Sequence, residues 1–153
     1  MRTARARTWL RTGFVAAVVV VIDQIAKAMI HSSLVLGERR DLLGPIDLVS
    51  ARNKGIAFGA LSGQGWLVPV LTIGAVLAVL AWFSTRPADS EAWIPSGLVL
   101  GGAVGNLLDR FRMGEVTDFI KLPHWPAFNV ADMAITAGVI LLVLVAEREA
   151  QHD

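Results

Sequence analysis

The sequence predicts an all-helical membrane protein with four transmembrane helices. Of its 153 residues, 54% are hydrophobic and only 18% are charged, whereas soluble domains usually carry about 25% charged residues. The mean hydropathy is correspondingly high, at +0.57. Four apolar runs approach the roughly 20 residues that cross a bilayer core as a helix. They cover residues 9–31, 66–83, 93–110 and 128–146, and we expect one integral membrane domain over residues 1–153.

The N-terminus indicates how the chain is inserted. Four arginines crowd it, namely Arg2, Arg5, Arg7 and Arg11. A basic start before an apolar core also occurs in secretory signal peptides, but no A-x-A-like cleavage site follows, so we predict a retained anchor. The positive-inside rule then predicts cytoplasmic N- and C-termini. The two longer loops, about 32–65 and 111–127, are expected on the extracytoplasmic side.

The links between the runs indicate antiparallel neighbours. The link formed by residues 84–92 is short and polar. The link 111–127 contains Pro123 and Pro126, which stop helix formation. Inside the long loop, residues 46–53 alternate in character after a Gly-Pro breaker, and this pattern predicts a short β-strand.

Hairpin connections place the polar segments of the chain on one side of the membrane. The end of the first span, the start of the second, the end of the third and the start of the fourth all share that side. The polar residues expected there are Asn53, Asn106, Asp109, Arg110, Asp118, Asn129 and Asp132.

Two aspartates on this side, Asp118 and Asp132, lie among apolar residues. Asn129 and Asp132 are three apart at a helix start, so a capping box is one interpretation of the second aspartate. Asp118 serves no helix start. Two carboxyl groups held close in a dry place cannot both ionise comfortably, so they share a proton. Such a pair titrates as a unit and supplies the general base and general acid that amide hydrolysis by water requires.

Other polar and small residues have two interpretations each. Asp23 and Lys27 are four apart on one helix face, so they form an internal ion pair or line a site. Glycines recur at four-residue intervals, at Gly97, Gly101 and Gly105, which favours close helix packing in lipid. The amide of Asn106 continues the polar end of that helix, where it could hydrogen-bond a carboxylate or a substrate backbone.

Several kinds of site are not indicated by the sequence. There is no cysteine, which excludes disulfides, thiolate metal sites and a cysteine nucleophile. The three histidines, His31, His124 and His152, lack metal-ligand spacing. Ser62 lies in no recognisable nucleophile motif. Topology explains the basic N-terminus, so we expect no nucleic-acid partner and no cofactor.

Two other functional classes remain open on physical grounds. A small transporter could use Asp23, Asp109, Asp118 and Asp132 to relay protons or bind a cation. The carboxylates gather at one side, however, and no inverted repeat is visible. A non-catalytic scaffold could use the glycine face as an oligomer contact.

Five motifs, in order along nearly the whole chain, resemble those of the lipoprotein signal peptidases, also called signal peptidase II. They are VIDQIAK (21–27), RNKGIAFG (52–59), GGAVGNLLDR (101–110), EVTDFI (115–120) and FNVADMAI (128–135). The combination of GNLLDR, VTDF and FNVAD is specific, whereas any one of them alone would be a weak signal.

The resemblance implies a metal-independent aspartic endopeptidase of the bacterial cytoplasmic membrane. Such an enzyme removes signal peptides from diacylglyceryl-modified prolipoproteins, cutting before the lipidated cysteine, and is blocked by globomycin-type cyclic peptides. It implies Asp118 and Asp132 as the catalytic pair and a small extracytoplasmic β-rich cradle after the first helix. We expect a monomer among membrane lipids. The supporting residues it implies are Asn53, Asn106, Arg110, Asn129, Asp23, Lys27, Gly105 and Asp109.

Two departures from the family pattern are visible. The family segment usually reads Asn-x-Gly-Ala-Ala-Phe, and Ile56 replaces its first alanine, which could alter the substrate or inhibitor pocket. The stretch between the two aspartates is also short, which trims the loop above the site and leaves both motifs intact.

Overall fold

A computed structural model of the chain describes residues 2–54, 67–86 and 90–151. The described residues form four helices and three strands. In chain order they are α1 (Arg2–Ser33), β1 (Arg39–Leu43), β2 (Ile46–Asn53), α2 (Leu67–Ser84), α3 (Trp93–Met113), β3 (Val116–Lys121) and α4 (Val130–Ala150). Ile56 and the first residue of the second predicted span, residue 66, lie outside the described residues.

Three of the four helices are long and apolar enough to cross a membrane. These segments are Thr3–Ser33, Leu67–Ser84 and Val130–Ala150. The expected third span, α3, is not among them, because its second half carries Asn106, Asp109 and two arginines that lower its hydropathy. The prediction of four spans is therefore confirmed for three helices by length and composition.

Helix α3 is the central helix and packs against α1, α2 and α4. Glycine makes this packing possible, because a Cβ at Gly97 would lie 2.8 Å from the carbonyl oxygen of Thr12 in α1. A Cβ at Gly102 would lie 2.4 Å from the carbonyl oxygen of Ala131 in α4. The glycines therefore pack within the chain, as the small-residue spacing predicts, and this placement does not favour the scaffold reading.

The three strands form one antiparallel sheet in the order β1-β2-β3. Strand β2 has the bounds predicted from the alternation of residues 46–53. The β-structure expected after the first helix is present as β1 and β2, and a third strand, β3, joins it from the link between α3 and α4. That link was expected to be a loop, but residues 116–121 pair with β2 over a long separation in sequence.

Candidate active site

Asp118 lies in the middle of β3, and its neighbour across the sheet supplies a donor. Ala51 of β2 is directly opposite Asp118, and Asn53 lies two residues further on the same face. The Asn53 Nδ2 group donates to Asp118 Oδ2 at 3.0 Å. The Asp118 side chain is almost fully buried, with 2% exposure. The sheet therefore presents this carboxylate in a fixed position beneath an amide.

Asp132 lies in the first turn of α4 and is half-buried. The predicted capping box is present: Asn129 Oδ1 accepts from the Asp132 backbone N–H at 2.9 Å, and the Asn129 backbone N–H donates to Asp132 Oδ2 at 3.3 Å. The other carboxylate oxygen, Oδ1, accepts from Asn106 Nδ2 at 2.8 Å. Capping and a place in the polar cluster are therefore compatible for this residue.

Asn129 joins the two aspartates. Its backbone binds the Asp132 carboxylate, and its side-chain Nδ2 lies 2.8 Å from Asp118 Oδ1. The same Nδ2 group is within hydrogen-bonding distance of Asn106 Oδ1, at 3.1 Å, and of the Thr117 carbonyl oxygen, at 3.2 Å. Since Asn129 is completely buried, this amide is a rigid bridge between strand β3 and helix α4.

The environment of Asp118 disfavours its charged form. Burial is the largest cause and raises the pKa of Asp118 from 3.8 to about 6. The hydrogen bond from Asn53 lowers this pKa, the negative charge of Asp132 raises it, and the Asn129 hydrogen bond and the Lys27 charge lower it. Because burial outweighs the hydrogen bonds, the protonated form of Asp118 is favoured at higher pH than that of an exposed aspartate.

The predicted ion pair between Asp23 and Lys27 is confirmed, with 2.8 Å between Lys27 Nζ and Asp23 Oδ2. The ammonium also lies 2.9 Å from Asp109 Oδ2 and donates to Asn106 Oδ1 at 3.1 Å. Lys27 is 2% exposed and Asp23 is fully buried. The ion pair is therefore internal, and Asn106 connects it to the Asp132 carboxylate.

Two further predicted residues contribute in different ways. A Cβ at Gly105 would lie 2.7 Å from Asp23 Oδ2, so glycine is what allows the Asp23 carboxylate to approach α3. The guanidinium of Arg110, another supporting residue that the resemblance implies, donates to the Asn106 carbonyl oxygen at 3.4 Å. Within residues 2–54, 67–86 and 90–151, no carboxylate lies within ion-pair distance of Arg110.

The sequence reading missed some residues of this network. Gln24 donates to Asp109 Oδ1 at 3.0 Å and to Asp23 Oδ2 at 3.2 Å, and it accepts from Arg112 at 3.1 Å. Its position beside Asp23 in an apolar helix was the available signal. The Thr117 hydroxyl contacts His31 Nε2 at 2.9 Å, a contact between α1 and β3 that no spacing could indicate.

Two cavities open on the aspartates. One, of about 370 Å³, is lined by Asp118 together with β2 and the start of the following loop, at Ala51, Asn53 and Lys54. The other, of about 430 Å³, is an apolar groove that has Asp132 among its lining residues. Its walls come from the loop after β3 and the outer face of α4, and they include Leu122, Trp125, Phe128, Met133 and Ile140.

Comparison with known proteins gives a consistent result. Residues 15–147 match the family model described as signal peptidase (SPase) II. The lipoprotein signal peptidase of Syntrophotalea carbinolica is 44% identical over 144 residues, covering 88% of this chain and 89% of that protein. That of Brevibacillus brevis is 42% identical over 137 residues, covering 85% and 90%.

A solved structure is also similar. A bacterial membrane enzyme determined at 2.3 Å by the in meso method has a TM-score of 0.83 and 30% sequence identity, covering 93% of this chain and 90% of that one. Because the family model spans most of the chain and these relatives match it over most of their own length, the chain belongs to the signal peptidase II family.

Proposed function

We propose that this protein is an aspartic endopeptidase that removes signal peptides from prolipoproteins, cutting before the diacylglyceryl-modified cysteine. The observation that carries the proposal is that buried Asn129 binds both aspartates: its side-chain Nδ2 donates to Asp118, and its backbone N–H donates to Asp132. The family membership supports a peptidase and does not support the transporter reading. The clustering of Asp23, Asp109 and the pair at one end of the helices also disfavours a relay across the membrane.

The chemistry follows from one shared proton. The ionised aspartate takes a proton from a water molecule, whose oxygen attacks the scissile carbonyl carbon. The protonated aspartate donates to the carbonyl oxygen, so the tetrahedral intermediate is neutral. When the C–N bond breaks, the leaving nitrogen takes the proton that the first aspartate accepted, and the second aspartate takes back a proton from a hydroxyl of the intermediate, which becomes the new carboxyl group. The raised pKa of Asp118 supports a carboxyl that keeps a proton close to neutral pH.

The amides hold the pair ready for this reaction. Asn53 and Asn129 each donate to one oxygen of Asp118, and Asn106 donates to Asp132. Donors that are already oriented stabilise negative charge without reorganising during the reaction. Among the four carboxylate oxygens of the pair, Asp132 Oδ2 accepts the longest hydrogen bond, 3.3 Å from the Asn129 backbone N–H.

We further infer that α3 also spans the membrane, which gives the protein four membrane-spanning helices. Gly97 lies against Thr12 and Val15 of α1, and Gly101 lies against Ala16 and Val19. Residue numbers therefore increase in the same direction along both helices, so α3 runs parallel to α1 and covers the same depth in the membrane.

A parallel arrangement of α1 and α3 is what a four-span topology requires. With the N-terminal arginines on the cytoplasmic side, the aspartates and the sheet lie at the extracytoplasmic face of the bacterial cytoplasmic membrane. Both termini are then cytoplasmic.

The apolar groove beside Asp132 fits the substrate class. Its walls of leucine, aromatic, methionine and isoleucine side chains suit an apolar chain, and the Asp132 carboxylate is part of its lining. An apolar signal segment or an acyl chain entering from lipid would be led to the pair. Bond selection by depth in the membrane follows from this arrangement. Inhibition by globomycin-type peptides and a monomeric state remain predictions.

The test is cleavage by the purified protein in detergent, with two peptides that share a sequence and differ only in the diacylglyceryl group on the cysteine. We expect a signal peptide to be released from the lipidated peptide alone. Asp118→Asn and Asp132→Asn are expected to lower the rate by about 10²–10⁴-fold. Asp41→Asn, which changes an exposed aspartate on β1, is the matched control. Equal cleavage by Asp132→Asn and Asp41→Asn would reject the proposed pair.

A further inference from the structure

The residue that precedes each aspartate is held by a second, buried carboxylate. The Thr117 backbone N–H, just before Asp118, donates to Asp109 Oδ2 at 3.1 Å. The Ala131 backbone N–H, just before Asp132, donates to Asp23 Oδ1 at 3.0 Å. These two carboxylates come from different helices, α3 and α1. The backbone on which each member of the pair is mounted is therefore anchored from outside its own element.

Both anchoring carboxylates bind the same ammonium group. Lys27 Nζ lies 2.8 Å from Asp23 and 2.9 Å from Asp109. All three residues are at most 2% exposed. Two carboxylates this close in a buried site repel each other unless a cation lies between them. The position of one anchor relative to the other thus depends on Lys27.

The third contact of the ammonium fixes the orientation of an amide. An ammonium has three donors and no acceptor, so the group of Asn106 that faces Lys27 must be the carbonyl oxygen Oδ1, at 3.1 Å. The Nδ2 group of Asn106 is then turned towards Asp132 Oδ1, which it contacts at 2.8 Å. With Asp23, Asp109 and Asn106 as acceptors, all three protons of the ammonium are used.

From these contacts we infer that Lys27 is a positioning residue for the catalytic pair. Through Asp109 and Asp23 it sets the spacing of the two catalytic aspartates. Through Asn106 it orients the amide group that donates to Asp132. The inference rests on the proposed function. Lys27 does not touch the reacting atoms in this account. It acts through the geometry of three partners, each of which bears on the pair.

The direct test is steady-state cleavage of a lipidated peptide by Lys27→Met. A displacement of the pair of the order of 1 Å lowers the rate of the chemical step about 100-fold, so we expect kcat to fall by this amount. KM should change little, because Lys27 lines neither cavity. Arg39→Met is the control, since it removes a positive charge from the outer strand β1, where Arg39 pairs with Asp47 of β2.

A second variant separates positioning from folding. Lys27→Met leaves two buried carboxylates with no cation between them, and Lys27→Met combined with Asp109→Asn returns the trio to a single negative charge. An asparagine at 109 keeps an acceptor for the Thr117 N–H. We expect the double variant to recover thermal stability while kcat remains low, because Asn106 is still unheld. If the single variant does not accumulate in the membrane, the double variant carries the test.

The pH profile supplies a readout that a purely structural role would not move. The positive charge of Lys27 lowers the pKa of Asp118, so its removal should shift the limb of the kcat/KM profile that reports Asp118 to higher pH. Wild-type kcat in Lys27→Met, or recovery of kcat together with stability in the double variant, would overturn the inference. The proposed function fails separately, if Asp118→Asn and Asp132→Asn retain cleavage.

Discussion

Gly105 allows the buried Asp23 carboxylate to lie against α3, and the substitution Gly105→Ala tests how tightly that carboxylate is held. The added Cβ would lie 2.7 Å from Asp23 Oδ2 and 3.3 Å from Asp23 Cγ. Since the optimum separation for non-bonded carbon atoms is about 3.5–4.0 Å, the carboxylate must move by roughly half an ångström or more. Asp23 cannot do so freely, because Lys27, Gln24 and the Ala131 N–H all bind it.

The magnitude follows from what the movement breaks. Overpacking of a buried site costs about 1–3 kcal/mol, and breaking a buried ion pair costs about 3–5 kcal/mol. Replacing glycine by alanine in a helix returns about 1 kcal/mol. The larger of the two costs, less this gain, predicts that Gly105→Ala lowers the free energy of unfolding by about 2–4 kcal/mol. We also expect cleavage to fall, because Ala131 loses its anchor.

Helix α2 offers a matched control for this measurement. A Cβ at Gly74 would meet nothing within 4 Å, so Gly74→Ala should be neutral or slightly stabilising. The assay is thermal unfolding of the two variants in the same detergent, with cleavage of a lipidated peptide measured beside it. Equal unfolding temperatures for Gly105→Ala and Gly74→Ala would refute the claim that Asp23 is fixed against α3.

Three further predictions concern the carboxylates and their donors. Because the pKa of Asp118 is raised to about 6, the folded state binds more protons than the unfolded state between about pH 4 and 6. Asp118 should therefore reduce the free energy of unfolding as pH rises through this range, by on the order of 3 kcal/mol. Unfolding measured against pH should show a steeper fall in stability for wild type than for Asp118→Ala, and parallel curves would contradict this. Asn53→Ala removes a donor that lowers the pKa of Asp118, so the limb of the kcat/KM profile that reports Asp118 should move about one unit to higher pH; an unmoved limb would show that Asn53 does not bind the ionised form. Asn106→Ala should lower kcat more than it raises KM, because it removes the donor to Asp132; a rise in KM alone would assign Asn106 to substrate binding instead.

The sequence predicted local features well. Apolar runs predicted the helices to within a few residues at most ends, although α1 begins at Arg2 instead of near residue 9. The capping box of Asn129 and Asp132 was also readable, because its partners are three residues apart. Strand β2 was predicted from its alternation. Each of these signals lies within one segment of the chain.

Contacts between distant segments could not be predicted from spacing. Strand β3 was missed because its pairing with β2 depends on how α3 returns the chain to the sheet. The i, i+4 spacing predicted the pairing of Lys27 with Asp23, but Asp109 is far away in sequence and reaches the same ammonium only after α1 and α3 pack. The glycine spacing showed that helices approach closely without showing which helices.

The most direct test of the account is a double-mutant cycle on the aspartate pair, measured as kcat for cleavage of a lipidated prolipoprotein peptide. If Asp118 and Asp132 share one proton and act on one water molecule, either asparagine substitution removes the whole function of the pair. Asp118→Asn, Asp132→Asn and the double variant should then have similarly low rates. Substantial cleavage by either single variant, or losses that multiply in the double variant, would contradict the account.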